Sequence, residues 1–483
     1  MTIVDVLPLL LVVAKVLLAS VGIVYLFSGL DDCFTDLCFV VMTLRRRRAG
    51  PPPLGILLST AERPIAVMVP AWDEANVIGR MVGNILTSVR YTNFHVFVGT
   101  YPNDEATQRE VDAVASVFPN VHRVVCANPG PTCKSDCLNW IYQGILDFEQ
   151  RSGVTFATFV IHDAEDVPHP LSFKLFNYLV PPYDMVQLPV LCLPSAWHRF
   201  TAMHYLDEFA EQHLKDLPVR EWLTRTVPGA GVGCAFSRRA LGVLAAHADN
   251  EIFSVDSLTE DYEIGMRMRR LGLQQAFAKI AIDGEYVATW EYFPAKLSQA
   301  VRQKSRWIVG ITLQGWRGLR WTGDARMKYA LFRDRKGLFT NQMAILGYVA
   351  VAFVAAVWVG TSLVPDAYHY PPLVERGSWL WLLMLVNALF MAERLVVRAV
   401  CVYHIYGWRQ AVLALPRQVW SNVVNFGATN RAMRLWIRHR RTGRPIAWDK
   451  TGHIFPSEAE LLRRRRDADD KLRGEVQQAA DAA

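Results

Sequence analysis

The chain has 483 residues, which exceeds one typical domain. Hydrophobic residues make up 52% of it and the mean hydropathy is +0.13, values that argue against a fully soluble protein. The net charge of +7 is compatible with nucleic acid, but many basic residues flank apolar segments. Anionic membrane lipid is therefore the simpler partner, and we predict no nucleic-acid binding. None of the eight cysteines forms a CxxC pair, so we expect free thiols in a reducing compartment.

Three apolar segments are long enough to cross a bilayer of roughly 30 Å. Segment 3–30 is nearly unbroken, and its length and acidic first charge favour an anchor over a cleaved signal peptide. Segment 33–44 is too short to span alone, so we expect it near the membrane interface. Segments 338–363 and 379–402 are joined by a short loop. The chain is therefore predicted to carry about three transmembrane helices.

Basic clusters indicate the orientation of these helices. Arginines occupy all of 45–48, and further basic residues lie at 328–336 and beyond 409. The positive-inside rule places these flanks in the cytoplasm, with the N-terminus and the 364–376 loop outside. We therefore predict a bacterial inner-membrane protein whose segment 45–337 is cytoplasmic.

The region between the anchors is predicted to be an α/β domain. Short apolar segments at 65–69, 94–99, 121–126, 156–161 and 185–190 suit buried parallel strands, and helical stretches such as 75–88 and 105–117 separate them. Asp73, Asp104 and Asp163 each follow a strand, where nucleotides bind in such sheets. A dinucleotide-binding oxidoreductase shares this pattern, but no G-x-G-x-x-G follows a strand.

The first motif with chemical content is the acid cluster after the fourth strand. Asp163, Glu165 and Asp166 offer the oxygen ligands that Mg²⁺ or Mn²⁺ takes beside a substrate diphosphate. Such a metal stabilises the charge that develops on a diphosphate leaving group. In isolation, however, an acid-rich run is more typical of a solvated loop or a helix start.

Two later motifs extend the pattern. Asp261, next to Glu260, is a candidate general base for a sugar hydroxyl, although acids also simply favour a helix N-terminus. Gln303, Arg306 and Trp307 lie within about one helical turn. Arg306 offers a planar fork of donors for phosphate and Trp307 a flat face for a sugar ring, but the pair also suits a membrane surface without chemistry.

The order of these motifs resembles the family 2 glycosyltransferases of the cellulose synthase type. Asp-x-Glu-Asp, Thr-Glu-Asp and Gln-x-x-Arg-Trp follow a Val-Pro-Ala-Trp-Asp-Glu string at 69–74. Further strings narrow the resemblance to the bacteriophage adsorption protein B family of inner-membrane enzymes that make an exopolysaccharide. These strings are 101–104, 134–139, 187–190, 207–211, 231–238 and 448–453.

The resemblance implies a role for each matched residue. Asp73, Glu74 and Lys134 would lie beside the nucleotide, and Asp104 would hold its uracil and ribose side. Asp163 and Glu165 stand where the family has its metal-binding Asp-x-Asp. Glu165 replaces the second Asp, and with Asp166 adjacent the sequence leaves open which acid binds the metal. Asp261 would be the base, and Gln303, Arg306 and Trp307 would lie at the acceptor.

The resemblance also implies a reaction and an architecture. The expected fold is a GT-A-like nucleotide-sugar-binding domain inserted between transmembrane helices. The expected reaction is inverting, metal-dependent transfer from a UDP-sugar to a growing exopolysaccharide. Alternatives are addition of one sugar to a lipid carrier, or an inactive membrane partner of an export complex. Predicted boundaries are 1–50 for the anchor, 62–290 for the domain, 291–337 for amphipathic interface helices, 338–402 for two spans and 403–483 for an interfacial helix and charged tail.

The last part of the chain carries expectations about partners. Segment 293–319 is predicted to be a basic amphipathic helix on the membrane, or else a buried helix of the domain. Segment 410–437 favours a surface or re-entrant helix, and the residues from 461 a frayed or disordered tail. Three spans enclose a polymer channel poorly, so export would need a homodimer, an export subunit or the 410–437 segment. Members of the resembled family usually continue into a cyclic di-GMP-binding domain. The roughly 27 residues after Pro456 are too few for one, so we expect regulation to come from a separate subunit or to be absent.

Overall fold

The computed structural model describes residues 3–46, 52–248, 250–282, 284–363, 373–444, 446, 452–464 and 466. The 364–372 part of the predicted outer loop and residues 467–483 of the tail lie outside this description. The strands are β1 (Ile65–Pro70), β2 (Phe94–Thr100), β3 (Val121–Val125), β4 (Thr158–Ile161), β5 (Val167–Pro168), β6 (Met185–Gln187), β7 (Val190–Cys192), β8 (Cys234–Ser237), β9 (Gln275–Phe277), β10 (Ala281–Ile282), β11 (Glu285–Tyr286) and β12 (Thr289–Glu291).

Helices surround these strands and extend away from them at both ends of the chain. Two π-helical turns, Gln212–Asp216 and Ile308–Gln314, connect consecutive helices. The α-helices are α1 (Ile3–Arg46), α2 (Leu54–Ser59), α3 (Ile78–Ser88), α4 (Glu105–Ala115), α5 (Lys134–Ser152), α6 (Ser172–Leu179), α7 (Phe200–Glu211), α8 (Leu217–Thr224), α9 (Arg238–Ala246), α10 (Glu260–Arg270), α11 (Leu297–Trp307), α12 (Gly315–Leu319), α13 (Ala325–Leu363), α14 (Trp379–Tyr406) and α15 (Trp408–Thr442).

The central sheet has seven strands in the order β3-β2-β1-β4-β8-β6-β9. Strands β1 to β4 are parallel, whereas β8 runs antiparallel to both β4 and β6. The predicted strand 185–190 is in fact two strands. β6 stays in the central sheet and β7 joins β5 and β12 in a second sheet, because Pro189 cannot continue the ladder as a donor. The α/β, GT-A-like fold is thus confirmed, with a mixed rather than a purely parallel sheet.

The continuous apolar strands are explained by burial on both faces of the sheet. Ile65, Val67 and Val69 of β1 pack into one core with α3, and Ala66 and Met68 pack into a second core with α5. A strand with two buried faces carries apolar residues at every position, which is why the period-2 alternation is missing. The carboxyl ends of β1, β2 and β4 consequently meet at one edge of the domain.

Among the residues that the structure describes, three helices are long and apolar enough to cross a membrane: Pro8–Arg45, Ala325–Gly360 and Trp379–Tyr406. Segment 33–44 continues α1, which runs unbroken for 44 residues, and its place near the membrane interface stays a prediction. At about 1.5 Å per residue, α1 is longer than a bilayer core needs. The acids of α1 have cations on neighbouring helices: Asp31 contacts Lys336, and Asp32 contacts Arg394 at 3.3 Å. These pairs stabilise the helix beyond its apolar part.

Three acids of helix α7 form ion pairs with cations on later helices and so connect those helices to the α/β domain. Asp207 accepts two hydrogen bonds of 2.7 Å from Arg417 of α15. The carboxylate of Glu208 is paired with the ammonium of Lys304 on α11. The third acid, Glu211, accepts a 2.7 Å hydrogen bond from Arg398 of α14. The predicted amphipathic segment 293–319 and the ambiguous segment 410–437 therefore pack side by side against α7.

Residues 452–464 pack onto the α/β domain. Phe455 is 3% exposed and Leu461 is 8% exposed, and both belong to the core that contains β1. The expectation of a frayed or disordered tail from Leu461 is therefore wrong for residues 461–464, which are helical. The apolar side chains of Phe455 and Leu461 dock this segment although it ends in two arginines, Arg463 and Arg464.

Candidate active site

The loop after β1 is held in place by Asp104, which follows the end of β2. Asp73 has a φ of +54° and its N–H donates to Asp104 Oδ2 at 2.6 Å. The Glu74 N–H donates to Thr107 Oγ1 at 3.0 Å. The other oxygen of Asp104 caps α4 by accepting from the Thr107 N–H at 3.2 Å. Asp104 thus fixes the backbone around Asp73, and such caps are worth about 0.5–2 kcal/mol.

Lys134 lies at the centre of the site. Its Nζ is 2.5 Å from Asp163 Oδ1 and donates to the Gly231 carbonyl at 3.0 Å. Burial lowers the pKa of Lys134, but the charges of Asp163 and Glu260 outweigh it and raise the pKa above its usual value. Lys134 is therefore a permanently charged cation that links the acids of the first and second motifs.

The acids of the first motif have different environments. Asp166 is fully buried, and its Oδ2 meets the His162 ring at 2.8 Å and accepts from the Asp163 N–H at 3.0 Å. Asp163 keeps 29% of its side chain exposed and faces the cleft. Asp166 thus braces the turn that presents Asp163, while its predicted metal role stays a prediction.

Glu165 lies in a different cluster from its neighbours in the motif. Glu74, Glu165 and His453 bring one ligand atom each within 4.8 Å of one another. Burial raises the pKa of Glu165, with His453 opposing and Asp163 and Glu74 reinforcing the shift. Two carboxylates and an imidazole are a donor set that fits a divalent cation.

Asp261 and Glu260 open α10 on the other side of Lys134. Burial raises the pKa of both carboxyls, and Lys134 opposes the shift. Asp261 Oδ1 accepts from the Tyr262 N–H at 2.7 Å. A Cβ built on Gly231 would lie 2.9 Å from Asp261 Oδ2 and 3.3 Å from Lys134 Nζ, so the two side chains converge there. A carboxylate in this place can accept a proton at the end of the cleft.

The π-helical turn that follows the third motif contacts the segment just before the second motif. Gln314, in the π-helical turn after α11, accepts from the Leu258 N–H at 3.0 Å, just before α10. Trp307 packs edge-on against Tyr205 with ring centroids 6.1 Å apart, and it also contacts Phe209. The Trp307 ring is thus partly engaged by aromatic neighbours inside the protein. The acceptor roles of Gln303, Arg306 and Trp307 stay predictions.

Two residues near the acids were not singled out from the sequence. His453 came only as part of a family string, and no periodicity connects it with Glu74. Burial raises the pKa of Glu291 at the end of β12, and Asp166, Glu165 and Asp163 reinforce the shift, so its carboxyl lies near theirs. The signal for Glu291 was its place at the end of a strand, which the sequence did not reveal because β12 is only three residues long.

We expect Gly231→Ala to lower turnover by about tenfold to 100-fold without unfolding the protein. The φ of +79° disfavours alanine by about 1–2 kcal/mol, and the new methyl group would displace Asp261 Oδ2. Gly242→Ala is the matched control, because its Cβ meets no heavy atom within 4 Å. Nucleotide release and thermal unfolding of both variants check this, and equal turnover in the two would contradict it.

Comparison with known proteins decides the family. Residues 62–310 match the model described as glycosyltransferase like family 2. The chain belongs to this family. The family 2 glycosyltransferase is 43% identical over 465 residues to bacteriophage adsorption protein B of Escherichia coli K12 and equally to bacteriophage N4 adsorption protein B of Escherichia coli O157:H7. The match covers 92% of this chain and 62% of each relative, so the chain spans less than two thirds of their length.

The solved structures that match this glycosyltransferase are more distant in sequence than these relatives. A mannosyltransferase from Pyrobaculum calidifontis in complex with GDP-Man and Mn²⁺ has a TM-score of 0.46 and 16% identity, covering 84% of this chain and 99% of that one. Glucosyl-3-phosphoglycerate synthase from Mycobacterium tuberculosis, in complex with Mn²⁺, UDP and glucosyl-3-phosphoglycerate, has a TM-score of 0.28 and 21% identity, covering 46% and 72%.

Proposed function

We propose that the protein is a membrane glycosyltransferase that transfers a sugar from a UDP-sugar to a growing exopolysaccharide with inversion. The observation that carries this is Lys134, which joins Asp163 of the first motif to the loop at Gly231 that faces Asp261. Asp163, Glu165 and Lys134 would hold the donor diphosphate with Mg²⁺ or Mn²⁺. The cation would supply charge stabilisation to the leaving group.

Asp261 is the proposed base on the acceptor side. It would take the proton of the acceptor hydroxyl as that oxygen attacks the anomeric carbon and the diphosphate leaves. One base and one displacement invert the sugar. Asp73, Glu74 and Asp104, together with the loop they form, would receive the nucleoside, and Arg306 and Trp307 the acceptor.

A lipid-linked acceptor with single addition is the second candidate. It is favoured by the small number of spans, since the described residues contain three helices of membrane-spanning length and composition. If the enzyme is instead processive, a homodimer or an export subunit would complete the path for the polymer. An inactive partner is the least favoured, because the acids of both motifs converge on Lys134.

We expect transfer to need a divalent metal and Asp163. Purified protein is incubated with a panel of nucleotide sugars, and nucleotide release is measured. EDTA and Asp163→Ala should each lower release by about 100-fold or more, because the first removes the cation and the second removes a carboxylate that would hold it beside Lys134. Asp147→Ala, an exposed acid of α5, is the control. Unchanged release in EDTA would refute the metal requirement, and preference for a GDP-sugar would refute the donor.

We expect the catalytic domain to face the cytoplasm of the inner membrane. Single cysteines are placed at Glu375, in the loop before α14, and at Arg109, on the exposed face of α4, in a background without the native cysteines. An impermeant maleimide added to intact spheroplasts should label position 375 and not 109, whereas both should react after lysis. The reverse pattern would contradict the positive-inside assignment.

A further inference from the structure

Helix α13 changes from charged to apolar within one residue. Residues 333–336 are all charged, and no charged residue follows between 337 and the end of the helix at 363. A bilayer core of roughly 30 Å needs about 20 predominantly apolar residues, which this second part of α13 provides. The boundary between lipid headgroups and acyl chains would therefore fall close to residue 336.

Three of these four charges have a partner of opposite charge in the protein. Arg333 Nη1 lies 3.0 Å from Asp31 Oδ2, and Lys336 contacts the same carboxylate. Asp334 Oδ1 accepts from Arg220 Nη1 at 2.5 Å. Within the described part of the chain, one charge of the four thus lacks such a partner.

That remaining charge is Arg335. Its side chain is 3% exposed, and its Nη2 donates to the Arg320 carbonyl at 2.6 Å. Its Nη1 is buried and has no hydrogen-bond partner among the residues that the structure describes. A buried guanidinium with an unsatisfied nitrogen is costly, and an anion that reached Nη1 would remove that cost. Arg335 is therefore a candidate anion ligand.

Two indole rings cover the Arg335 guanidinium. It stands 5.0 Å from the centre of the Trp316 ring and 4.4 Å from that of the Trp321 ring. Both tryptophans are also exposed to solvent, and tryptophan is enriched where a membrane meets water. Trp321 lies in the 320–324 loop between α12 and α13, so its side chain can turn aside and open a path to Nη1.

The surface around the indoles combines cations with apolar side chains. Lys328, Phe332, Arg335 and Phe339 follow one another at helical spacing along one stripe of α13, and both phenylalanines are exposed. Such a surface suits an anion with an apolar part, which is the chemistry of a phospholipid. From 315 to 328 the exposed charges are four cations and one acid, namely Arg317, Arg320, Arg326, Lys328 and Asp324.

We propose that Arg335, Arg320 and Trp321 form a binding site for the phosphate of an anionic glycerophospholipid, whose acyl chains lie along Phe332 and Phe339. A phosphate fits the planar fork of a guanidinium. Zwitterionic lipid is disfavoured, because its own ammonium group offsets the phosphate charge and would face the cations. The site lies on α13 and the loop before it, outside the acid cluster of the cleft, so the proposal does not rest on the proposed function.

The test is native mass spectrometry of the purified full-length chain in detergent, titrated with phosphatidylglycerol or with phosphatidylcholine. The unmodified protein should retain phosphatidylglycerol with the higher affinity, and Arg335→Met should weaken its first binding step by about tenfold. Arg409→Met is the matched control and should change this step by less than twofold. Arg409 also stacks on an indole, that of Trp408 at 5.7 Å, but both side chains are exposed at the start of α15.

Thermal unfolding separates lipid binding from a merely structural role of Arg335. Methionine keeps an unbranched side chain between the two rings, so Arg335→Met should unfold at the same temperature as the unmodified protein when lipid is absent. Added phosphatidylglycerol should raise Tm of the unmodified protein and not of the variant. If Arg335→Met is already destabilised without lipid, Arg320→Gln decides, because this exposed side chain can be changed without altering the core. It should weaken phosphatidylglycerol binding by about fivefold.

Three results would overturn the proposal. The first is equal affinity for phosphatidylglycerol and phosphatidylcholine. The second is phosphatidylglycerol affinity within twofold of the unmodified protein in the deciding variant. The third is an equal rise in Tm with inorganic phosphate alone, which would identify a site for a free anion instead of a lipid.

Discussion

Asp261→Asn should lower kcat by about 10²–10⁴-fold while the donor still binds. General-base catalysis contributes about this much, and an amide cannot take the proton of an acceptor hydroxyl. The amide oxygen can still accept from the Tyr262 N–H, so the start of α10 should stay intact. Nucleotide release at saturating donor gives kcat, and UDP titration gives binding.

The control for this variant is Asp256→Asn. Asp256 is exposed in the loop before α10, and its backbone carbonyl accepts from Gln314 Nε2 at 3.0 Å. This change should leave kcat within a factor of two. If Asp261→Asn loses less than tenfold, another group takes the proton, and Asp261 would then be only a partner of Lys134.

Arg417→Ala should destabilise the folded protein by about 3–5 kcal/mol, because it leaves the Asp207 carboxylate buried without its cation. Arg417 is 0% exposed and Asp207 is 2% exposed, and two hydrogen bonds of 2.7 Å join them. Burial raises the pKa of Asp207, and Arg417 opposes this shift, so losing Arg417 removes the group that favours the charged form. Thermal unfolding in detergent should show a fall of roughly 3–5 °C in Tm, because the unfolding entropy of a chain of this length is large.

Arg434→Ala is the matched control for this variant, since Arg434 is exposed on the same helix. The double variant Asp207→Leu with Arg417→Met should recover more than half of the loss, because apolar groups of similar volume can replace a buried ion pair. A loss below about 1 kcal/mol in the single variant would show that water reaches the pair and that α7 does not hold α15 through it.

The sheet was predictable from the sequence because its strands are buried on both faces. Runs such as Ile65–Pro70 are apolar at every position and end in polar residues, which is a local signal. Pro189 also marks the break between β6 and β7 in the local sequence. The local sequence does not show, however, that the two strands belong to different sheets. Only the pairing of β7 with β12, about 100 residues later, shows that the strand changes sheets.

The candidate site was predictable only where local order implied spatial order. Asp73, Asp104 and Asp163 follow neighbouring strands, so their convergence followed from the fold. His453 has no such relation to Glu74, because the two come together through the docking of Phe455. Likewise, the aromatic character of Trp307 did not indicate that its ring packs against Tyr205. Pairings between distant segments depend on tertiary contacts that leave no periodic pattern in either partner.

The docking of Phe455 also has a consequence for biosynthesis. The apolar cluster that it joins is built largely from the first half of the domain, yet Phe455 follows α13 and α14, which are long and apolar enough to cross a membrane. Contacts this far apart in the chain form late. Nascent chains whose helices have not inserted would therefore retain an open apolar cleft, which is the kind of surface that chaperones and proteases recognise. Quality control of membrane insertion would thus act on a site in the catalytic domain.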